Sequence, residues 1–334
     1  MKFGFTADIH LSGYSNDKIV NQLPERLDSI KKAIHAMAEH CIEDGIKTIV
    51  IGGDILHGKS MIHAMAQYIM LDYFRSYRNE LDFIVIDGNH DLSGKGTDVV
   101  SALESIDNEP NVNHIRSVEK IENILFVPYS HTMIDDILSD KADYLVSHFG
   151  LNEGILNNGM SIIDDMGISK LRNKYKTVLL GHYHKPQEIL EEDIRLYYVG
   201  SPIQMDWGEK NEEKRFLIVD TTTDEISSVP TVGYKKYCEF ELNSDNIDDI
   251  NKYITTLKTD GHDVRLVKKD KEIDTTEIEK DFIVLDKSEQ DFSDRGISAS
   301  MSQNEKMLKF LAYKNIKETD KYIKIANQLI EESS

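Results

Sequence analysis

The chain has 334 residues, and its 39 Lys and Arg against 59 Asp and Glu give a formal net charge of −20. This acidity argues against a freestanding nucleic-acid binder, because phosphate contacts are normally supplied by a basic patch. The apolar fraction of 40% excludes a disordered polyanion. At about 150 residues per domain, the length predicts roughly two domains.

The cysteines and the apolar runs indicate the compartment. Cys41 and Cys238 lie far apart and belong to no CxxC motif, which is typical of a protein from a reducing compartment. The first residues, MKFGFTADIH, predict a strand rather than a signal peptide. No stretch approaches the roughly 18 apolar residues of a membrane span. We therefore expect a cytoplasmic protein that does not contact a membrane.

Short apolar runs alternate with amphipathic stretches from Lys2 to about Asp220, which is typical of strands connected by helices. A first helix is predicted to begin at Pro24 and end at Gly45, a second to cover Met61 to Tyr77, and a third Asp98 to Ile106. The sequence predicts an α/β fold with strands covered on both faces. The predicted strands are KFGFTADIH, TIVIGGD, FIVIDGNHD, ILFVPYS, DYLVSHFG, TVLLGHYH, LYYVGS and FLIVD.

The character of the sequence changes after about Thr221. CEFEL, a polar helix near Ile247 to Leu257, VRLVKK and DFIVLD predict a small α+β unit. The polar stretch KSEQDFSDRGISAS follows as a linker, and two short helices with apolar stripes are predicted after it. Helices of this length are marginal alone, so their stripes require a partner surface. The predicted domains are residues 1–225, 226–290 and 301–334, with a linker at 291–300.

Residues of the kind that bind metals follow almost every predicted strand of the first half. The carboxyl ends of strands in an open α/β sheet face the crevice where ligands bind, so these clusters can converge although they are far apart in sequence. Residues two apart on an extended chain face the same side, which lets a DxH or HxH pair present two ligands together. The clusters are Asp8 with His10, Asp54 with His57, Asn89 with His90 and Asp91, His148, and His182 with His184.

The mixture of carboxylate, amide and imidazole fits divalent Mn, Fe, Zn or Co better than an all-oxygen Mg or Ca site. Seven candidate ligands exceed the needs of one tetrahedral ion, and they suit two ions about 3.5 to 4 Å apart that share a carboxylate. Such a site can hydrolyse a phosphoester. His90, beside the candidate ligand Asn89, is the expected proton donor to the leaving oxygen. Asp91 is expected to orient the His90 ring.

The set formed by DxH, GD, GNHD, a later His and GHxH resembles the calcineurin-like metallophosphoesterase superfamily over about Lys2 to Asp220. Within it, GDILHGK, GNHD, YYVGSP, a small second domain and a helical tail are similar to SbcD-type DNA double-strand-break repair nucleases. The small subunits of bacteriophage recombination endonucleases are the nearest type. The resemblance implies a two-sheet sandwich flanked by helices, a small α+β capping domain and a carboxyl-terminal helix pair.

The resemblance also assigns roles. It implies that Asp8, His10, Asp54 and His184 bind one ion, and that Asp54, Asn89, His148 and His182 bind the other. His57 resembles a second family histidine that assists at the phosphate. Two Mn²⁺ ions are expected, with Mg²⁺, Fe²⁺ and Zn²⁺ left open. The implied activity is DNA exonuclease and endonuclease cleavage in a bacterial or phage-infected cell. The implied partners are DNA, an SbcC-type SMC-like ABC ATPase bound through the terminal helices, and a second copy of the chain.

Three alternatives use the same motifs. A phosphatase of this superfamily carries arginines beside GD and GNH, where this chain has Leu56-His57-Gly58 and Ile86-Asp87-Gly88. A cyclic-nucleotide phosphodiesterase also lacks that clamp, but it would not need the terminal helix pair. An inactive scaffold would not need the complete ligand set. The sequence leaves open the cleavage polarity, the balance of exonuclease and endonuclease activity, and the need for ATP.

Overall fold

The computed structural model describes residues 1–13, 17–58, 61–95, 98–130, 132–156, 166–242, 247–269, 273, 275, 282–286, 301, 303–314, 316 and 322. The chain divides into two compact units. The first comprises Met1–Cys238 and Gly261–Asp263, and the second comprises Glu239–Asp260 and Val264–Ser334.

The first unit alternates strands and helices. Its strands are β1 (Lys2–Thr6), β2 (Ile19–Val20), β3 (Leu23–Pro24), β4 (Thr48–Ile51), β5 (Asp82–Ile86), β6 (Leu92–Lys95), β7 (Asp98–Ser101), β8 (Val112–Ile115), β9 (Glu119–Ile121), β10 (Ile124–Val127), β11 (Tyr144–His148), β12 (Thr177–Gly181), β13 (Gln187–Leu190), β14 (Arg195–Tyr198), β15 (Arg215–Asp220) and β16 (Glu225–Pro230). Its α-helices are α1 (Glu25–Glu43), α2 (Ala64–Ser76) and α3 (Met133–Ser139).

Two six-stranded sheets form the centre of the first unit. The first has the order β16-β15-β1-β4-β5-β8, and the second has the order β13-β14-β12-β11-β10-β9. Four neighbouring strands of each sheet are parallel to one another. They are β1, β4, β5 and β8 in the first sheet, where β8 forms one edge, and β10, β11, β12 and β14 in the second. Antiparallel strands extend both sheets: β15 and β16 follow β1 in the first sheet, and β9 and β13 form the two edges of the second. The carboxyl ends of the parallel strands therefore collect at one edge of each sheet.

The strands of both sheets are buried on both faces, so the first unit has three apolar layers: one between the sheets and one on the outer face of each sheet. Phe5 and Val50 of the first sheet pack with Phe126 and Val146 of the second, which forms the layer between the sheets. The outer face of the first sheet packs against α1 and α2, and the outer face of the second packs against α3. The predicted α/β sandwich of two sheets flanked by helices is confirmed.

Helix α1 illustrates how the sequence specifies these boundaries. Pro24 directly precedes the first helical residue, Glu25, which suits a residue with a fixed φ and no N–H to donate. Its stripe, which includes Leu27, Ile30 and Ile34, is buried against the first sheet. Gly45 follows the helix at φ +70°, a conformation that glycine adopts without a Cβ penalty. The predicted limits, Pro24 and Gly45, agree with this helix.

One predicted helix is wrong. The segment from Asp98 to Ile106 forms the strand β7, which pairs with β6, followed by a 3₁₀ turn at Glu104–Asn108. The β-branched Val99 and Val100 favour a strand, and pairing with β6 gives the backbone its hydrogen bonds. The turn-rich segment after Thr221 likewise contains the strand β16, whose pairing with β15 continues the first sheet beyond residue 225.

The second unit is small. It contains a three-stranded sheet with the order β17 (Tyr237–Leu242), β18 (Asp263–Lys268) and β19 (Ile283–Asp286). The first residues of β17 and of β18 are assigned to the first unit. Two helices, α4 (Ile247–Thr259) and α5 (Gln303–Tyr313), belong to this unit. The linker at 291–300 and, except for Tyr322, the second terminal helix lie outside the described residues. The four-part domain division stays a prediction.

Crossing a bilayer requires a helix that is both long and apolar. Within the described residues, no helix meets both requirements.

Candidate metal centre

The segments that follow β1 and β4 run side by side. The backbone N–H of Asp8 donates to the Gly53 carbonyl at 3.0 Å, and that of His10 donates to the Asp54 carbonyl at 3.0 Å. Parallel pairing of β1 with β4 sets this register. Asp8, His10 and Asp54 are therefore brought together by the sheet edge, as the sequence predicts.

Four of the predicted ligands have a left-handed backbone. The φ angles are +53° at Asp8, +48° at His10, +55° at Asp54 and +91° at His182. Residues with a Cβ rarely adopt this region, and such strain persists only where the surrounding structure enforces it. Strain at four members of one cluster is typical of a functional site.

Asp54 occupies the middle of the cluster. Its Oδ2 lies 3.5 Å from His10 Nε2 and 3.3 Å from His148 Nε2. Its Oδ1 accepts a hydrogen bond from the backbone N–H of His90 at 2.8 Å. A carboxylate between two imidazoles from different strands is placed to be shared by two ions, which is the arrangement that the resemblance implies.

The remaining predicted ligands surround Asp54. Asn89 Oδ1 lies 3.1 Å from His148 Nε2 and 3.3 Å from His182 Nδ1. On the other side, His184 Nε2 lies 3.0 Å from His10 Nε2. Potential ligand atoms lie within 4.8 Å of one another in three groups, which are Asp8 with His10 and His184, Asp8 with Asp54 and His148, and His10 with His57 and His90.

The seven predicted ligands form one cluster at the carboxyl ends of β1, β4, β5, β11 and β12. Their assignment as metal ligands stays a prediction. The side-chain donors are carboxylate and amide oxygens together with imidazole nitrogens, and this mixture suits divalent transition metals. Three further polar contacts hold the cluster: the His182 N–H donates to both carboxylate oxygens of Asp8, and His148 Nδ1 lies 2.8 Å from the Gly52 carbonyl.

Burial and charge act in opposite directions on the pKa values. Burial alone would raise the pKa of Asp54, but His148 and His10 lower it below its usual value. Burial lowers the pKa of His148, yet Asp54 and Asp8 raise it to about 9. Burial and the nearby His148 lower the pKa of His182 to about 3. Since a metal binds only the deprotonated imidazole, a metal on His148 must displace a proton.

His57 and His90 line the accessible side of the cluster. Both are half-buried, and their rings stack with centroids 5.3 Å apart at 12°. His90 Nδ1 lies 2.8 Å from the His57 carbonyl, and His57 Nδ1 lies 3.1 Å from His10 Nδ1. Burial and the neighbouring His90 lower the pKa of His57. Both rings adjoin the predicted ligand His10, whose ring centroid lies 5.0 Å from that of His57 and 4.9 Å from that of His90.

Asp91 has a different environment from the one predicted. Its carboxylate accepts hydrogen bonds from the backbone N–H groups of Gly88, Leu56 and Ile55 at 2.9, 2.9 and 3.3 Å. The carbonyl of His57, rather than Asp91, contacts the His90 ring. Burial, together with the charges of Asp54 and Asp87, raises the pKa of Asp91 to about 8. Asp91 therefore joins the loops after β4 and β5 beneath the site.

Sequence reasoning missed two buried charged residues behind His184. Glu209 Oε1 lies 3.0 Å from His184 Nδ1, and Glu209 Oε2 lies 2.8 Å from Lys214 Nζ. Burial would raise the pKa of Glu209, but hydrogen bonds from His184 and the charge of Lys214 lower it to about 2. The segment GEKNEEK is typical of a solvated loop, and the spacing of its residues does not indicate that Glu209 and Lys214 are buried.

Comparison with known proteins identifies the family. The family described as calcineurin-like phosphoesterase matches residues 1–186, which is more than half of the chain. The chain belongs to this family. Its members use divalent metals, and the Asp and His cluster described above has the appropriate donors. The predicted superfamily and the predicted metal-dependent phosphodiesterase are confirmed.

Several relatives are nucleases or repair proteins by name. The chain is 25% identical to Exonuclease subunit 1 of Enterobacteria phage T4 over 69% of this chain and 68% of that protein. It is 22% identical to a subunit of the SbcCD nuclease of Staphylococcus epidermidis over 75% of this chain and 74% of that protein. It is 31% identical to the DNA double-strand break repair protein Mre11 of Archaeoglobus fulgidus over 32% of this chain and 23% of that protein.

Proposed function

We propose that the chain is the nuclease subunit of a DNA recombination and double-strand-break repair complex, and that it hydrolyses phosphodiesters as an exonuclease and endonuclease with two metal ions. The position of Asp54 Oδ2 between His10 Nε2 and His148 Nε2 is the observation that carries the proposal. One ion is held by Asp8, His10, Asp54 and His184. The other is held by Asp54, Asn89, His148 and His182. Mn²⁺ is the proposed ion.

The side chains have separate tasks in this proposal. When bound, the two ions would supply an activated water and offset the charge of the phosphate. His90 donates the proton that the leaving sugar oxygen needs, since its ring is accessible and its backbone N–H is anchored to Asp54. The His57 carbonyl orients the His90 ring, and the His57 ring lies parallel to it. His57 assists at the phosphate.

Two positions beside the motifs support a diester rather than a monoester substrate. A terminal dianionic phosphate is usually clamped by arginine. Here Leu56 is buried, and the Asp87 carboxylate accepts hydrogen bonds from Ser101 and His114 instead of reaching the cluster. Neither position brings a positive charge to the phosphate.

The choice of DNA and of an ATPase partner is supported by the relatives and by the charge. Two relatives are named as nuclease or exonuclease subunits and a third as a DNA repair protein. A chain with a net charge of −20 binds DNA weakly by itself, so a partner must supply most of the affinity for DNA. We propose an SMC-like ABC ATPase that binds the terminal helices, and a homodimer of this chain. Both act in the cytoplasm of a bacterial or phage-infected cell.

A two-substrate assay tests the proposed function. The purified chain is incubated with Mn²⁺ and either end-labelled duplex DNA or a phosphomonoester such as p-nitrophenyl phosphate. We expect DNA cleavage that greatly exceeds monoester hydrolysis and that is lost on chelation. Asp54→Asn removes the charge of the shared carboxylate and should abolish cleavage.

Val232→Asp provides the control, because this exposed side chain is not among the seven predicted ligands. It should cleave DNA at the wild-type rate. Efficient monoester hydrolysis without DNA cleavage would instead assign the chain to the phosphatases. Turnover of a cyclic nucleotide in place of DNA would assign it to the cyclic-nucleotide phosphodiesterases.

A further inference from the structure

Two charged side chains are almost completely buried behind the predicted ligand His184. Glu209 is 2% exposed and Lys214 is 1% exposed. Glu209 ends a short 3₁₀ turn, Trp207–Glu209, in which the Gly208 N–H donates to the side chain of Asp206. Burying a carboxylate and an ammonium costs several kcal/mol for each ion unless every polar atom is satisfied.

The hydrogen bonds of this pair are complete. Lys214 Nζ has three hydrogens, and it contacts the His184 carbonyl at 2.9 Å, Glu209 Oε2 at 2.8 Å and Glu212 Oε2 at 2.9 Å. Glu209 Oε2 also accepts a hydrogen bond from the Met205 N–H at 2.9 Å. Apolar residues of similar size would usually stabilise a fold as well as a buried ion pair does. The pair is therefore better explained by what it does to its neighbour.

That neighbour is His184, which is held at two points. Its carbonyl accepts hydrogen bonds from Lys214 Nζ and from the Ser201 N–H at 3.1 Å. Its Nδ1 lies 3.0 Å from Glu209 Oε1. Since a carboxylate accepts and does not donate, the proton of this hydrogen bond belongs to Nδ1. The lone pair is then left on Nε2, the atom that lies 3.0 Å from His10 Nε2.

The other predicted ion has a weaker support. His148 Nδ1 faces a backbone carbonyl, that of Gly52, at 2.8 Å. A carboxylate partner makes the opposite imidazole nitrogen a stronger metal ligand than a carbonyl partner does. Glu209 should therefore strengthen the binding of the ion at His184 and not that of the ion at His148.

We propose that Glu209, kept in place by Lys214, is a positioning residue that fixes the tautomer and orientation of His184 and so strengthens the binding of the ion held by Asp8, His10 and His184. This inference rests on the proposed two-metal site. Lys214 anchors both the carboxylate of Glu209 and the backbone of His184, so ligand and support move as one unit.

Metal titration of the full chain tests the proposal without an activity assay. Mn²⁺ binding is measured by calorimetry and by electron paramagnetic resonance for the wild type and for Glu209→Gln, which keeps the shape and removes the charge. We expect the wild type to bind two ions. In Glu209→Gln one ion should bind about 10- to 100-fold more weakly, the usual loss when such a support is removed, while the other is unchanged.

Glu212→Gln is the matched control. It removes the other carboxylate from Lys214, yet Glu212 has its contact with Lys214 and not with the His184 ring. Both ions should bind Glu212→Gln with wild-type affinity. Wild-type affinity for both ions in Glu209→Gln would overturn the proposal. The proposal would also be overturned if Glu212→Gln weakened the binding of one ion as much as Glu209→Gln does.

A double variant covers the case in which Glu209→Gln fails to fold. Glu209→Gln with Lys214→Met removes the buried ammonium together with its partner, and the same selective loss is expected. Two ions of wild-type affinity in this variant would contradict the positioning role. Failure of the wild type to bind Mn²⁺ would instead remove the proposed metal site itself, and the inference with it.

Discussion

Individual residues of the cluster differ in whether they can act on a substrate. His10, His148 and Asp54 are buried, whereas His57 and His90 are half-buried and stack on each other. A group that exchanges a proton with a substrate must be reachable, and a group that binds an ion need not be. Burial therefore distinguishes His10, Asp54 and His148 from the predicted proton donor. The predicted ligands Asn89, His182 and His184 are half-buried like His90, and their side-chain contacts with other predicted ligands distinguish them instead.

His90→Ala tests the assignment of the proton donor. We expect a loss of about 10²- to 10⁴-fold in the rate of DNA hydrolysis, the usual contribution of general acid catalysis. The backbone N–H of His90 still donates to Asp54 in this variant, so both metal ions should remain bound. Single-turnover cleavage and Mn²⁺ titration measure the two effects. Unchanged turnover would exclude His90 as the acid, and loss of an ion would make it a ligand.

Asp91 shows how far one residue can depart from its predicted contact. Its neighbour in sequence is His90, but its carboxylate points to three backbone N–H groups of two loops. Buried N–H groups require an acceptor, and this requirement outweighs the orientation of an adjacent ring. The His57 carbonyl serves that ring instead.

At the scale of elements, the ends of β4 and β5 approach each other closely. A Cβ on Gly53 would lie 2.6 Å from His148 Nδ1 and 2.8 Å from the Cα of Gly88. A Cβ on Gly88 would lie 2.2 Å from Asp54 Oδ1. The glycines of the GGD and DGN runs are therefore required by packing at the site, because the loops that carry Asp54 and Asn89 touch through backbone atoms.

Gly53→Ala and Gly45→Ala form a matched pair that tests this packing. Both glycines have a positive φ, +93° and +70°, but a Cβ on Gly45 meets nothing within 4 Å. Gly45→Ala should cost only the conformational penalty of about 1 to 2 kcal/mol in free energy of unfolding. Gly53→Ala should cost more and should weaken Mn²⁺ binding. Urea denaturation and metal titration measure both, and equal costs without a change in metal affinity would contradict the argument.

At the scale of the whole molecule, the proposed complex depends on the terminal helices. Helix α5 exposes Leu308, Phe310 and Tyr313, while Leu311 of the same helix is buried. Exposed apolar side chains on one helix are suited to docking on another helix. The cluster of predicted metal ligands belongs to the first unit and α5 to the second, so the proposed partner binding and the proposed chemistry should be separable by mutation.

The variant Leu308→Asp with Phe310→Asp tests this separation. It should abolish co-purification with the ATPase, because charged groups cannot be buried in an apolar interface without a partner. Manganese-dependent cleavage of short DNA should be retained. Val232→Asp, which alters an exposed apolar side chain of the first unit, should bind the ATPase normally. Retained ATPase binding by the helix variant would contradict the docking proposal.

The sequence by itself determined the alternation of strands and helices and the composition of the cluster, and its resemblance to a known family implied the two-sheet sandwich. Apolar runs that end in DxH, GD, GNHD and GHxH predict both the strands and the residues at their carboxyl ends, because strand and ligand are encoded side by side. The prediction of a helix from Asp98 to Ile106 was wrong, because pairing with the strand β6 outweighed the local helical pattern.

Only the tertiary structure decided the supporting contacts. Glu209 lies 25 residues after His184, and Asp91 accepts a hydrogen bond from a residue 36 positions before it. A hydrogen bond between distant segments leaves no periodic signal, because it depends on where the chain returns after folding. For the same reason the acidic composition indicated weak DNA binding but could not indicate that Glu209 is buried against the predicted ligand His184.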